Sequence, residues 1–309
     1  MWLLLFSLAD FIATENIKGV ADAGVLKYAG KYYLGGVATY GDFYVSNDLI
    51  HWDERIHVFD LDNQWTHGTG ARNNQVHADD ITYSNGLFHL LFSVNYWGAD
   101  RHIVHITHAT SPTINGPFRE VREDQWFENR IDPQVFRDED GRHYLYMVKF
   151  TDGNTIWARP MNDDFSFAGD AVQQFSSQPG TWETMDNRVA EGPFVIKYHG
   201  RYYMMYNANH TAAEFGNYRL GVCEADAPLA FNPGGKYPYP VVSPQTDVLE
   251  EDYTDIIRYG SKAMWVMLGW TLVKSAGFFE SLYCMNASYI VFPTKYPFSP
   301  SRSRWRQAL

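Results

Sequence analysis

Three acidic residues precede glycine-centred turns at nearly equal distances along the chain. Asp22, Asp132 and Glu191 stand eight, nine and nine residues before the glycine of the next turn. Carboxyl groups that meet in one pocket raise one another's pKa, so that one stays protonated while another is ionised. Those two states are what a general acid and a general base need for hydrolysis. The alternative is structural, since each acid could instead cap a turn or pair with an arginine.

The segments that follow these acids are copies of one hairpin pattern. Each copy has two apolar residues, a turn around glycine and then aromatic residues. The copies begin at Val25, Ile81, Val135, Val195 and, more faintly, Ile256, and their turn glycines are Gly30, Gly86, Gly141, Gly200 and Gly260. Two of the turns read Asn85-Gly86 and Asp140-Gly141, which favours hairpins because glycine tolerates positive φ. Recurrence every 55–60 residues is typical of a four-stranded propeller blade.

Five copies predict an all-β fold, a five-bladed β-propeller that forms one domain over residues 1–309. The predicted blades lie near residues 20–75, 76–127, 128–185, 186–245 and 246–300. The fifth blade is predicted to be divergent or incomplete, because residues 261–309 carry no clear copy of the pattern. Since the first strand of each blade lines the central channel, equivalent positions in successive blades should converge at one mouth. A β-sandwich with chance similarity between its segments is the alternative.

The composition argues against several classes of function. The formal net charge is −11 over 309 residues, and an acidic surface repels phosphate backbones, so nucleic acid is not an expected partner. Aromatic residues make up 17%, which fits packed β-sheets and also surfaces that stack on sugar rings. The two cysteines show no metal-binding spacing, so no metal ligand is assigned. No apolar stretch is long enough to predict a membrane span.

Four segments resemble motifs of glycoside hydrolase family 43, a family of five-bladed propeller arabinofuranosidases and xylosidases. They are Val20-Ala-Asp22-Ala-Gly-Val25, Ser46-Asn-Asp-Leu-Ile-His-Trp52, Ile131-Asp132-Pro-Gln-Val-Phe-Arg-Asp-Glu-Asp-Gly141 and Ala190-Glu191-Gly-Pro-Phe194. They occur in the family's order and cover roughly residues 17–240. The chain departs from the pattern at Ala23, where the family commonly has proline, and at His77-Ala-Asp79-Asp80, where it commonly reads Trp-Ala-Pro-Asp.

The resemblance implies a role for each of the three acids. Asp22 would be the general base, Glu191 the general acid, and Asp132 a modulator that orients Glu191 and raises its pKa. The resemblance also implies inversion at the anomeric carbon, with the two catalytic carboxyl groups about 6.5–9.5 Å apart to admit a water molecule. Such a reaction requires no cofactor. A structural calcium ion in the channel is implied only by its presence in some members of the family.

Six further residues are candidates for contact with a substrate. His77 and Asp80 fall in the blade-two motif, Tyr96 and Trp97 follow a blade-two strand, Phe43 lies at the matching place in blade one, and His210 follows the blade-four strand. Loops at the mouth of a channel often carry function, and aromatic rings there could stack on a sugar. The alternative is local packing for Tyr96, Trp97 and Phe43, and a hydrogen-bonded structural role for His210.

The expected function is that of an inverting glycoside hydrolase that releases arabinofuranosyl or xylosyl residues from plant-type polysaccharides or oligosaccharides. Two alternatives are open: a carbohydrate-binding propeller without turnover, and a propeller glycosidase for another sugar, such as a galactan or a fructoside. An extracellular or periplasmic location is slightly favoured over a cytoplasmic one. The segment from Met1 to Phe6 is apolar, but Asp10 interrupts the run and neither a basic segment nor a small-residue cleavage site accompanies it, so it only weakly indicates a secretory signal.

Overall fold

The structure, a computed structural model, describes residues 21–37, 41–48, 51–60, 77–95, 104–121, 127–128, 130–151, 153–210, 217–241, 272–275 and 283–284. Within these residues the regular structure consists of β-strands and two short 3₁₀ turns, Trp182–Thr184 and Pro233–Gly235. The same residues contain no helix with the length and apolar character that crossing a membrane requires.

The strands form separate sheets that follow one another along the chain. The first sheet contains β1 (Ala21–Tyr28), β2 (Lys31–Val37), β3 (Asp42–Ser46) and β4 (Glu54–His57). The second contains β5 (His77–Ser84), β6 (Leu87–Asn95), β7 (Val104–Ser111), β8 (Arg119–Glu120) and β9 (Phe127–Glu128), the last of which pairs with β7. In both sheets the neighbouring strands are antiparallel.

Two further sheets repeat this arrangement. The third contains β10 (Arg130–Arg137), β11 (His143–Phe150), β12 (Asn154–Met161) and β13 (Val172–Ser176). The fourth contains β14 (Ala190–Tyr198), β15 (Arg201–Ala208) and β16 (Arg219–Ala225). A last pair of short strands, β17 (Leu272–Ser275) and β18 (Tyr283–Cys284), adds to the first sheet, with β17 parallel to β1.

The first strands of the four sheets contact one another in chain order, β1 with β5, β5 with β10, and β10 with β14. The remaining strands of each sheet follow outward from these inner strands. The described part of the chain is therefore an all-β propeller with four blades, and the predicted propeller is confirmed. Nearly all of the predicted fifth blade, residues 246–300, lies outside the described residues, so the number five stays a prediction.

The repeat glycines occupy the hairpin turns for which they were singled out. The φ angles are +81° at Gly30, +80° at Gly86, +89° at Gly141 and +76° at Gly200. A residue with a Cβ atom is strained at such angles, so glycine is the residue that closes these turns at no steric cost. Gly260, the fifth repeat glycine, lies outside the described residues.

Aromatic and aliphatic side chains from neighbouring blades fill the space between the sheets. Leu26, Phe43, Ile81, Phe88 and Phe118 belong to one buried cluster that joins blades one and two. A second cluster joins blades three and four and includes Phe136, Tyr146, Phe175, Met204 and Tyr206. Because burial of a side chain of this size contributes about 1.5–3 kcal/mol, these clusters hold the blades together.

This packing corrects one of the sequence predictions. Phe43 was predicted to contact a substrate, yet only 2% of its surface is exposed, and its ring lies edge-on to Phe118, with a centroid distance of 6.0 Å. An aromatic ring enclosed by core residues cannot stack on a sugar. The prediction failed because Phe43 lies within β3, on a side that packs into the core, and not in a loop at the mouth of the channel.

Side chains of one blade satisfy the open inner edge of the next. The N–H of Val135 on β10 donates to Oδ2 of Asp80, at 2.8 Å, and the N–H of Val195 on β14 donates to Oε1 of Gln134, at 3.2 Å. Asp80 and Gln134 occupy equivalent positions, since each is the first regularly paired residue after a register shift in its inner strand. An inner strand is the edge of its sheet, and the N–H groups on its unpaired side need such partners.

The bond to the N–H of Val135 gives Asp80 a structural role in place of the predicted contact with substrate. Its side chain is buried, with 4% of the residue exposed, and its carboxylate faces the backbone of the following blade. The equivalence with Gln134 explains this placement, because both positions supply an acceptor to the next inner strand.

We expect the substitution Gln134→Leu to destabilise the fold by about 1–3 kcal/mol, because it leaves the buried N–H of Val195 without its acceptor. The measurement is urea unfolding at neutral pH. Gln173→Leu is the matched control, since Gln173 lies exposed on β13 and should change the free energy of unfolding by no more than about 0.5 kcal/mol. Equal stability of the two variants would contradict the proposed inter-blade bond.

Candidate active site

Each inner strand contains a β-bulge near its start. The register shifts lie between Ala21 and Gly24, His77 and Asp80, Ile131 and Gln134, and Glu191 and Phe194. Asp22 and Asp132 are both the first residue inside the shift, whereas Glu191 is the paired residue immediately before it. The three predicted catalytic acids therefore share one end of the propeller, and distance from the turn glycine located them to within one residue.

The bulge gives Asp132 an unusual backbone conformation. Its φ is +55°, and Gly192, at the equivalent position in the next blade, has a φ of +61°. A proline follows each of them, Pro133 and Pro193, as is tolerated at bulges in edge strands. The N–H of Asp132 donates to Oγ of Ser93 on β6, at 3.0 Å. A left-handed conformation at a residue other than glycine costs energy and is often found at functional sites.

A hydrogen bond between blades three and four places Asp132 beside Glu191. The N–H of Gly192 donates to Oδ2 of Asp132, at 2.9 Å, and Gly192 directly follows Glu191 in the chain. Asp132 is buried, with 8% of its surface exposed. The structure thus brings together two of the three predicted acids, although 59 positions separate them in the sequence.

Both oxygens of the Glu191 carboxyl group have hydrogen-bond partners. Nδ2 of Asn154 donates to Oε2 at 2.9 Å, and the hydroxyl of Tyr218 lies 2.8 Å from Oε1. Burial, together with the negative charge of Asp132, raises the pKa of Glu191 to about 7, and the hydrogen bonds from Tyr218 and Asn154 act in the opposite direction. Glu191 as a residue is only half-buried, so a substrate can still reach it.

Asn209 holds the segment that carries Tyr218. It is fully buried, and its Nδ2 donates to the carbonyl oxygens of Trp182 and Asn217, at 2.7 and 3.0 Å. Its Oδ1 accepts from the N–H groups of Met185 and Asp186, at 2.7 and 3.2 Å. With all of these groups satisfied, residues 182–186 are tied to Asn217, and Tyr218 follows it directly before β16.

Sequence reasoning did not find Asn154, Tyr218 or Asn209. Asn154 begins an ordinary hairpin strand, and Tyr218 is one of 21 tyrosines, so neither stands out by type or spacing. Asn209 lies in Asn207-Ala-Asn209-His210, a segment that drew attention only for its histidine. One signal could have pointed to Asn209. It belongs to a cluster of polar residues at the end of the blade-four strand, which the repeat pattern predicts.

The other predicted site residues have varied placements. Asp22 lies in β1 and His77 begins β5, but their side chains are outside the described residues, as are Tyr96 and Trp97 altogether. His210 follows β15 and is partly exposed. In the part of the chain that the structure describes, no group of three or more His, Cys, Asp or Glu side chains could hold a metal ion.

The geometry supports proton donation from Glu191. A carboxyl group with a pKa near 7 is largely protonated in weakly acidic solution and can still ionise at neutral pH, which suits a general acid. Asp132 contacts the chain beside it and raises that pKa through its charge. Two carboxyl groups whose environments separate their protonation states are the usual sign of an acid–base site.

Comparison with known proteins identifies a family and similar structures. Residues 17–267 match the model of a protein family described as glycosyl hydrolases family 43. The structure resembles that of an endo-1,4-beta-xylanase from Bacteroides thetaiotaomicron VPI-5482, with a TM-score of 0.60 and 35% identity over 72% of this chain and 74% of that one.

Two curated relatives are more distant. A xylan 1,3-beta-xylosidase from Vibrio sp is 25% identical over 66% of this chain and 38% of its own length. An extracellular exo-alpha-(1→5)-L-arabinofuranosidase from Cellvibrio japonicus (strain Ueda107) is 22% identical over 60% of this chain and 57% of its own length. The chain thus spans about half the length of the curated relatives it matches.

The raised pKa of Glu191 predicts how Glu191→Gln changes stability with pH. The folded state holds the proton up to a pH of about 7, whereas a free glutamate releases it near 4.5. Stability of the parent protein should therefore fall as the pH rises between these values. Glutamine does not titrate, and its amide can accept from Asn154 and donate to Tyr218. The variant should thus gain up to about 3 kcal/mol relative to the parent between pH 5 and pH 8.

The measurement is the thermal unfolding midpoint at both pH values. Glu54→Gln is the control, because Glu54 is exposed and makes only a surface ion pair with Lys31. Its effect should stay within about 1 kcal/mol at either pH. A stability difference between Glu191→Gln and the parent that does not depend on pH would contradict the raised pKa.

Proposed function

The chain belongs to glycosyl hydrolases family 43, and from this membership we propose that it hydrolyses glycosidic bonds and releases xylosyl or arabinofuranosyl residues from plant-type polysaccharides or oligosaccharides. The names of the relatives, which include a xylosidase, an arabinofuranosidase and a xylanase, support this substrate class. The observation that carries the proposal is the carboxyl group of Glu191, whose pKa is raised to about 7 by burial and, in addition, by the negative charge of Asp132.

In the proposed mechanism each acid has one task. Glu191 donates its proton to the glycosidic oxygen as the bond from that oxygen to the anomeric carbon breaks. Asp22 takes a proton from a water molecule, whose oxygen bonds to the anomeric carbon from the opposite face. The negative charge of Asp132 adds to the effect of burial on the pKa of Glu191, and its carboxylate holds the backbone after Glu191 through Gly192. Attack from the opposite face inverts the anomeric configuration, for which the carboxyl groups of Asp22 and Glu191 should lie about 6.5–9.5 Å apart.

We also propose that the chain forms a single propeller over residues 1–309 and that residues 246–300 form a fifth blade. The repeat glycine at 260 supports this, because it continues the spacing of the four described turns. β17 lies beside β1, at the end of the described ring that a fifth blade would meet. The same proposal includes the limits of the first four blades, near residues 20–75, 76–127, 128–185 and 186–245.

The partner of the site would be the carbohydrate itself. His77, Tyr96, Trp97 and His210 remain proposed contacts to it. His77 begins β5, on the side of the propeller where the bulges lie, and the other three follow β6 or β15 in the sequence, strands that end on that side. Carboxyl groups supply both proton transfers, so the reaction requires no cofactor. A structural calcium ion in the channel stays a prediction.

A screen of nitrophenyl glycosides, followed by NMR of the first-formed sugar, tests the proposed activity. We expect hydrolysis of β-xylosides or α-L-arabinofuranosides, with the product released first in the inverted anomeric configuration, because water attacks opposite the leaving group. Release of the retained anomer would contradict the assignment of Asp22 as a base. Binding of oligosaccharides without hydrolysis of any of them would instead indicate a binding propeller, and hydrolysis of only galactans or fructosides another glycosidase.

The roles of Glu191 and Asp22 predict different responses to the leaving group. Glu191→Gln should lower kcat by about 10²–10⁴-fold on a disaccharide, whose leaving oxygen needs a proton, and much less on a dinitrophenyl glycoside, which leaves without one. Asp22→Asn should lower kcat to a similar degree on both substrates. Glu54→Gln, exposed on β4, should match the parent protein. Equal losses on the two substrates in Glu191→Gln would remove Glu191 from the role of proton donor.

A further inference from the structure

Two polar side chains outside the acidic trio contact the Glu191 carboxyl group, and their chemistry differs. Nδ2 of Asn154 approaches Oε2 to 2.9 Å, and this nitrogen can only donate. The hydroxyl of Tyr218 lies 2.8 Å from Oε1 and can either donate or accept. Since a neutral carboxyl group has one carbonyl oxygen and one hydroxyl oxygen, these two neighbours distinguish between the two oxygens.

We propose that Asn154 and Tyr218 are positioning residues. Together they place the acidic proton of Glu191 on Oε1, and the hydrogen bond between Tyr218 and Oε1 reverses its direction when that proton leaves. The amide of Asn154 favours Oε2 as the carbonyl oxygen, so the proton is carried by Oε1. Before transfer the hydroxyl of Tyr218 accepts a hydrogen bond from that proton. After transfer the same hydroxyl donates to the new carboxylate. The proton passes to the glycosidic oxygen, and Tyr218 neither gains nor loses one.

The surroundings keep both side chains in place. Tyr218 is buried, with 4% of its surface exposed, and the preceding carbonyl, that of Asn217, accepts from the fully buried Asn209. Asn217 also donates through Nδ2 to Oδ1 of Asp186, at 2.8 Å. Asn154 is fixed by its backbone, whose N–H donates to the carbonyl of Arg188 at 3.1 Å. The two groups therefore meet Glu191 from two adjacent blades, three and four, in a preformed geometry.

This inference rests on the proposed role of Glu191 as proton donor and predicts a change in the pH profile. Tyr218→Phe removes a group that stabilises the ionised carboxylate, so the pKa of Glu191 should rise. The alkaline limb of kcat/KM should move to higher pH by about one unit, with kcat on a disaccharide about tenfold lower. Asn154→Leu should move the limb in the same direction. Asp132→Asn should move it to lower pH, because it removes the charge that raises the pKa.

Tyr146→Phe is the matched control. The Tyr146 hydroxyl is also buried and donates to the carbonyl of Pro228 at 2.6 Å, within the packing between blades three and four, so its partner is a backbone carbonyl and not the carboxyl group of Glu191. Its loss should lower stability and leave the alkaline limb where it is in the parent protein. An unchanged limb in Tyr218→Phe, or an equal movement in Tyr146→Phe, would overturn the proposal.

An NMR titration separates this inference from the proposed function. Glutamate labelled with ¹³C at the carboxyl carbon reports the ionisation of Glu191 in the full chain without substrate, and Glu191→Gln identifies its signal. The midpoint should rise in Tyr218→Phe and stay constant in Tyr146→Phe. If the parent hydrolyses no glycoside and the titration midpoint of Glu191 is nevertheless higher in Tyr218→Phe than in the parent, the glycosidase proposal fails while the coupling of Tyr218 to Glu191 stands. If the parent is active and the midpoint does not rise, the coupling fails alone.

Discussion

The structure of this site depends on one hydrogen bond, from the N–H of Gly192 to the carboxylate of Asp132. It joins the inner strands of two blades and brings two acidic residues together at the same end of the propeller. Burial of Glu191 and, in addition, the negative charge of Asp132 beside it raise the pKa of Glu191 to about 7. The buried aromatic cluster between the two blades offsets the cost of holding them there.

The same kind of bond links blades two, three and four and explains why acids from distant segments converge. Ser93 of blade two accepts from the N–H of Asp132 in blade three, and Asp132 accepts from the N–H of Gly192 in blade four. Each of these two bonds pairs an N–H at a bulge with a side chain of the preceding blade. A propeller has no strand to cover its inner edges, so these side chains satisfy the edges and, at Asp132, also serve the site.

Comparison of the predictions with the structure shows where pattern reasoning is reliable. The turn glycines and the order of the hairpins were found because positive φ and alternation are local properties. Phe43 and Asp80 were misassigned as substrate contacts, because burial between blades depends on a neighbour that the local pattern does not contain. Asn154 and Tyr218 were not found at all, since an asparagine and a tyrosine carry no signal until something acidic lies beside them.

The sequence by itself determined the hairpin repeat, the all-β character of the chain and the identity of the acids that precede the turns, because each of these follows from residue type and short-range spacing. Only the tertiary structure decided which oxygen of Glu191 meets which partner, that Asp80 joins blades, and that Glu191 stands one residue before the bulge position of Asp132. Contacts between residues tens of positions apart depend on the register of each bulge and the packing of adjacent blades, and neither is set by local sequence.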